Sequence, residues 1–156
     1  MYEIQVREVE AQLVLTETRF GNVKGLSPWM GSAFGRGWKR APKYGGVIAP
    51  VYAVIHGKLG PDDWATFEVC IPVAFDQEIP RSEPHRIELA HTEAFTRIRK
   101  QQVKHPIIVD AYMAVVHWVE ANDKKFLLAP REVYFNDFRN AAPEDESVDI
   151  AYPIVN

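Results

Sequence analysis

Cysteine is nearly absent: Cys70 is the one thiol in 156 residues. A single cysteine excludes an internal disulfide and a cysteine-built zinc site. It also fits a reducing compartment, so a cytoplasmic location is expected. Charge of one sign is scarce too. The formal net charge is −3, without the basic excess of a dedicated nucleic-acid binder, so direct nucleic-acid contact is not expected. No apolar run approaches the roughly 18 residues of a membrane span, and the charged, alternating start from Met1 to Glu10 has no signal-peptide character. Neither Gly-x-x-x-x-Gly-Lys-Ser/Thr nor Gly-x-Gly-x-x-Gly occurs, so nothing cradles a nucleotide phosphate. The five histidines (His56, His85, His91, His105, His117) have no metal-ligand spacing. No metal and no cofactor are expected.

What is present is an ordinary globular composition, 47% hydrophobic and 25% charged, in about one domain's worth of chain. Aromatics are plentiful: four Trp, six Tyr and eight Phe. Two basic clusters, Arg36-Lys39-Arg40-Lys43 and Arg97-Arg99-Lys100-Lys104, read as solvated faces.

The second half of the chain echoes the first. Trp38 and Trp118 are offset by 80 positions, as are Ala49-Pro50 and Ala129-Pro130, while Ile71-Pro72-Val73 matches Tyr152-Pro153-Ile154 at 81. Three matches in one order point to a tandem duplication. Periodicity gives each half the same elements. Tyr2–Arg19 alternates as a strand with a bend near Glu10-Ala11. Ser27-Pro28 predicts a helix start, with an apolar stripe of Met30, Phe34 and Trp38 and an end at Pro42. Gly31, Gly35 and Gly37 make that helix locally weak, unless something approaches its backbone closely. Val51–His56 and Trp64–Val73 read as strands. Arg86–Arg99 then repeats the first strand, Ile107–Ala121 the helix, and Lys125–Asn136 and Ser147–Val155 the last two strands, with Phe75–Pro84 as linker. The expected fold is α+β: tandem strand-helix-strand-strand repeats, about 2–74 and 85–155, related by pseudo-twofold symmetry. They form one domain over 1–156, an antiparallel sheet with two helices on one face.

Carrying the 80-residue offset onto the strands aligns Tyr52 with Glu132. Glu132 and Tyr134 share a strand face. If that face meets a helix, Glu132 is a carboxylate among aromatics. It must then be hydrogen-bonded, protonated or open to a cation, because an unpaired buried carboxylate is costly. The alternative is a glutamate in solvent or paired with Arg131 or Arg97. Trp38, Phe34, Tyr52, Tyr112, Trp118, Tyr134 and Tyr152 all fall on predicted elements, and aromatic faces beside a carboxylate suit a lipophilic cation or a flat heteroaromatic.

The stretch Ala129-Pro130-Arg131-Glu132-Val133-Tyr134-Phe135-Asn136-Asp137 resembles the Pro-x-Glu-x-Tyr strand of the GyrI-like family, the effector-binding domain of multidrug-sensing activators. Val148–Val155 is similar to that family's closing strand, Phe67–Val73 to its Glu-x-x-x-Pro strand, and Asp110–Trp118 to its second helix. The resemblance implies a pocket between the helices, in which Glu132 pairs with a cationic drug and Tyr134 and Tyr152 line the wall. It also implies a choice of functions. The foremost is a stand-alone small-molecule binding protein, related to transcription regulation, that sequesters or senses a hydrophobic or cationic aromatic ligand for a protein partner. The alternative is a hydrolase of strained, cyclopropane-type electrophiles, with Glu132 as catalytic residue. Inhibition of another protein through a surface, and haem carriage on a histidine, rank behind. The family's His-x-Gly-Pro-Tyr segment is replaced here by Lys100-Gln101-Gln102-Val103-Lys104-His105-Pro106. A helix-turn-helix is not part of the pattern, so this chain is not expected to bind DNA by itself.

Overall fold

The computed structural model describes residues 1–58 and 60–156. The architecture is α+β, with two α-helices and, among the described residues, nine strands. The strand pairs within each unit are antiparallel. The chain divides into two compact units, residues 10–90 and residues 1–9 with 91–156.

In the first unit the elements are β2 (Gln12–Gly21), α1 (Leu26–Arg40), a 3-10 turn at Ala41–Tyr44, β3 (Val51–His56), β4 (Ala65–Val73) and β5 (His85–Glu88). Its strands lie in the order β3-β4-β2-β5. The second unit holds β1 (Gln5–Val9), β6 (His91–Arg99), a 3-10 turn at Lys100–Gln102, α2 (Ile107–Ala121), β7 (Lys125–Phe126), β8 (Arg131–Tyr134) and β9 (Glu146–Val155). Its order is β8-β9-β6-β1, with β7 added on β9. Both units thus have one topology, and both helices are 15 residues long. The repeat is real, but its members exchange their ends. The strand expected over Tyr2–Arg19 breaks between Val9 and Gln12, and the one expected over Arg86–Arg99 breaks at Leu89-Ala90. The leading piece β1 pairs with β6, and β5 pairs with β2. Phe75–Pro84, read as a linker, therefore lies inside the unit of residues 10–90.

Each helix packs on the strands of its own unit, α1 on β4 and β2, α2 on β9 and β6. α2 matches its expected bounds and buries Ile108, Ala111, Tyr112, Val115 and Val119, a helical spacing of three and four. α1 departs from expectation in two ways. It starts at Leu26, behind Gly25 in the left-handed region at φ 67°, and no side chain caps it, so Ser27 is inside the helix. Its buried stripe is Met30, Ala33 and Gly37, while Trp38 is 55% exposed. Gly37 explains the rotation. A Cβ there would sit 2.8 Å from Ile71 Cδ1 and closer still to Cγ1, so the helix backbone rests directly on β4. Small residues set the contact, and the aromatic stripe is turned away.

The sheet face opposite each helix carries buried ion pairs among its apolar residues. In the second unit Glu93 and Asp149 have fully buried side chains. Glu93 accepts hydrogen bonds from Arg131 (3.0 Å) and Arg7 (2.8 Å) and lies 2.9 Å from His91 Nε2. Asp149 accepts from Arg97 and Arg7, both at 2.8 Å. In the first unit Glu68 accepts from Arg86 at 2.8 Å and lies 3.1 Å from His56, and Arg86 also reaches Glu88. The duplication extends to these pairs: Glu68 and Asp149 are offset by 81. Arg7 and Arg86, on the exchanged strands β1 and β5, each reach the carboxylate of the last strand in the other repeat. The basic clusters are likewise partly paired: Arg36 binds Glu17, and Arg40 reaches Glu17 and Glu83.

Candidate functional site

Strand β8 is four residues long, and alternation divides it cleanly. Glu132 pairs in register with Ile150 and Tyr134 with Val148, which puts both on the α2 side of β9. The same side carries Ala94, Val115, Val119 and Ile154, the core under α2, with Tyr152 packed against it. Arg131 points the other way, to Glu93, and Arg97 goes to Asp149. The two arginines nearest in sequence or pattern are therefore committed elsewhere, and among the described residues no cationic side chain pairs with Glu132.

Its carboxylate is held by phenols instead. Tyr112 from α2 donates a short hydrogen bond to Oε2, and Tyr134 donates one of 3.0 Å to Oε1. Glu132 is 7% exposed and Tyr112 4%. Burial pushes the Glu132 carboxyl above the ordinary carboxylate range, and the two phenol bonds only partly oppose it. Burial, and then the carboxylate itself, pushes the Tyr112 and Tyr134 hydroxyls well above the usual phenol value. Both stay protonated donors at neutral pH. Burial alone takes Tyr152 to about 12.

Rings continue outward from this centre on both sides. Tyr152 stands edge-on to Tyr112 at 6.1 Å between centroids, and Phe126 meets Tyr152 at 5.2 Å. Phe138 stands edge-on to Tyr134 at 5.4 Å. Edge-to-face pairs of this kind are worth about 0.5–1.5 kcal/mol each beyond their buried area. The arrangement is an acid with two fixed donors and an aromatic surround. It can attract a cation by charge and by ring faces, or hold a proton as a neutral acid.

Of the residues singled out in the sequence, Glu132, Tyr112, Tyr134 and Tyr152 come together here. Trp118, six residues along α2 from Tyr112, packs on the Ala94–Val115–Val119–Ile154 cluster, as Ile4 and Tyr152 do, and is not among the rings around Glu132. Phe34 and Trp38 belong to α1 of the other unit. Tyr52 is buried on β3, but it is not the counterpart of Glu132. It pairs with Cys70, whereas Ala53 pairs with Val69 on the side that meets α1 through Ile71. Pro72 and Pro153 align at an offset of 81, so Val69 corresponds to Ile150, and Ala53 stands where Glu132 does. The 80-residue offset slips by one on these strands, and one residue turns a side chain to the opposite face. Phe126 and Phe138 were missed. Phe126 ends the two-residue strand β7 and Phe138 lies in the loop after β8, and neither stretch is long enough or regular enough for alternation to carry a signal. The one available cue is that Phe138 follows the Glu-x-Tyr segment by four positions.

A cavity of about 530 Å³ lies elsewhere, lined by residues that include Glu3, Gln5, Arg97, Arg99, Gln102 and Glu146. Its walls are polar, and Gln5 and Arg97 belong to the ionic face of the sheet. It is not the aromatic site. Among the described residues no group of three or more potential ligand side chains could hold a metal, and no helix is long and apolar enough to cross a membrane.

No family model matches the chain, and no curated protein matches it. Solved structures do. The C-terminal domain of EcmrR superposes with a TM-score of 0.80 at 16% identity, over 100% of this chain and 99% of that one. In the EcmrR–DNA complex the chain spans 57% of the EcmrR protein, at a TM-score of 0.78 and 16% identity. SAV2435, solved bound to tetraphenylphosphonium, matches at 0.63 and 10% identity over 99% of this chain and 94% of its own. A protein from Listeria innocua described as a hydrolase matches at 0.60 and 12%, over 98% and 92%. At these identities the shared property is the fold.

Proposed function

We propose that the chain binds a small lipophilic cation at Glu132, in the manner of a GyrI-like effector-binding domain, and sequesters it or senses it for a protein partner. One observation carries this reading: a buried carboxylate that two phenols hold in place and that, among the described residues, no cationic side chain neutralises. The protein bears the cost of keeping that acid dry, which makes sense where a ligand supplies the missing charge. Tyr112, Tyr134, Tyr152 and Phe126 supply ring surface around it. SAV2435, of like fold, holds a cation of this class.

A second reading uses the same acid. A carboxyl with a raised pKa is a candidate general acid, or a base that positions water, for opening a strained electrophile. Some structures of like fold are described as hydrolases.

Thermal shift separates the two. A ligand at about 100 times its dissociation constant stabilises by about 2.7 kcal/mol, a rise of roughly 5–11 °C for a chain of this size. Tetraphenylphosphonium is expected to shift the wild type and not Glu132→Gln, whereas neutral and anionic aromatics shift neither. Equal shifts in both proteins place the site elsewhere. Turnover of a cyclopropane-type electrophile that stops with Glu132→Gln favours the hydrolase.

A further inference from the structure

Glu132 is closed off in this structure. It is 7% exposed, and Tyr134, half-buried, is in turn covered at its edge by Phe138. Phe138 sits on the loop that joins β8 to β9, residues 135–145. That loop is compact. Its own bonds run from Phe138 N to Asn136 O (2.9 Å) and from Asn140 Nδ2 to Asp137 Oδ2 (2.7 Å). Its base is tied to the sheet by Asn136 Nδ2 on Glu146 O (2.7 Å). The 3-10 turn before α2 grips the far limb through Lys100 N to Asp145 O and Gln101 N to Pro143 O, both 2.9 Å.

The tip is fastened differently, by one side chain. Lys100 Nζ donates to Arg139 O (3.1 Å) and Ala141 O (3.0 Å) and lies 5.2 Å from the centre of the Phe138 ring. A single ammonium thus holds two backbone carbonyls and the ring that covers Tyr134. Charge-assisted bonds are stronger than neutral ones, so this contact sets how readily the tip lifts. From the proposed cation-binding reading, on which this step rests, we infer that the 135–145 loop gates the Glu132 site and that Lys100 is the positioning residue that latches it. Lifting the tip bares Tyr134 and opens the way to the carboxylate.

A latch changes rates more than affinity. Losing about 1.4 kcal/mol of latch contact corresponds to about tenfold in a rate constant. Stopped-flow binding of tetraphenylphosphonium, followed by intrinsic fluorescence, is expected to show kon and koff both rising by about that factor in Lys100→Met with Kd little changed, and both rising in Phe138→Ala, where the lost ring surface adds a further rise in koff. Lys100→Arg, which keeps a donor and a charge, should stay near the wild type. In the ligand-free protein, amide exchange over residues 138–141 should quicken in Lys100→Met and not in Lys124→Met. The gate is overturned if binding requires Glu132 yet both rate constants match the wild type in Lys100→Met and Phe138→Ala. It is equally overturned if exchange at the tip is unchanged. Failure of the binding reading looks different: Glu132→Gln binds the cation as the wild type does, or the wild type binds none.

Discussion

Glu93 and Glu132 are both buried carboxylates of one small sheet, and their surroundings push them in opposite directions. Burial raises each. For Glu93 the hydrogen bond with His91 and the charges and bonds of Arg131 and Arg7 outweigh it and hold the carboxyl down at about 2. For Glu132 two neutral phenols do not, and the carboxyl stays above its usual range. The difference lies in the face of the sheet that each occupies. Glu93 is structural. Glu93→Gln puts a neutral amide beside Arg131 and beside Arg7, which keeps Asp149, and is expected to cost about 3–5 kcal/mol in urea denaturation. A loss below about 1 kcal/mol, the value of a surface pair, would contradict this. With its folded pKa depressed, Glu93 contributes stability that is present above its unfolded value and is lost as pH falls toward about 2. Glu132 has the reverse sign. Its folded pKa is raised, so the wild type loses stability as pH climbs from the unfolded carboxylate value through the folded one. Glu132→Gln has nothing to ionise. Its melting temperature is expected to gain on the wild type as pH rises above the ordinary carboxylate value of about 4.3, as for a site that trades stability for function. A gap that closes with rising pH would show that Glu132 is already paired.

At the scale of elements, α1 tests how glycine is used. Gly31 and Gly35 have open space where a Cβ would go, whereas at Gly37 it would press on Ile71, itself 1% exposed. Alanine at Gly31 or Gly35 should stabilise by up to about 1 kcal/mol through helix propensity. Gly37→Ala should destabilise despite the same gain, because overpacking typically costs about 1–3 kcal/mol. Melting curves of the three variants check this, and a stable Gly37→Ala would mean that the α1–β4 contact is looser than described. The close approach to this helix was legible in the sequence as a surplus of glycine. Which face approached was not, because a stripe of Met30, Phe34 and Trp38 carries more apolar weight than Ala33 and Gly37, and periodicity counts weight. α2, which buries Tyr112 and Val119 of its apolar pattern while Ile107 and Met113 stay exposed, was read with its bounds intact.

At the scale of the molecule, the duplication was legible because prolines and tryptophans recur at one spacing. The exchange of β1 and β5 was not, because a strand's sequence names its faces and not its partner. The same limit shows in the site. Alternation put Glu132 and Tyr134 on one face, but the bond from Tyr112 on α2 needed the packing of helix on sheet. Tyr52 was misplaced by a one-residue slip of the offset. The central claim is that Glu132 supplies the charge for a cationic ligand. Titration calorimetry with tetraphenylphosphonium, on the wild type and Glu132→Gln at neutral pH, tests it most directly. Saturable binding by the wild type that weakens by about tenfold or more in the variant, a loss of 1.4 kcal/mol or more, is the expected result. Equal affinity in the two proteins, or no binding to the wild type, would contradict it.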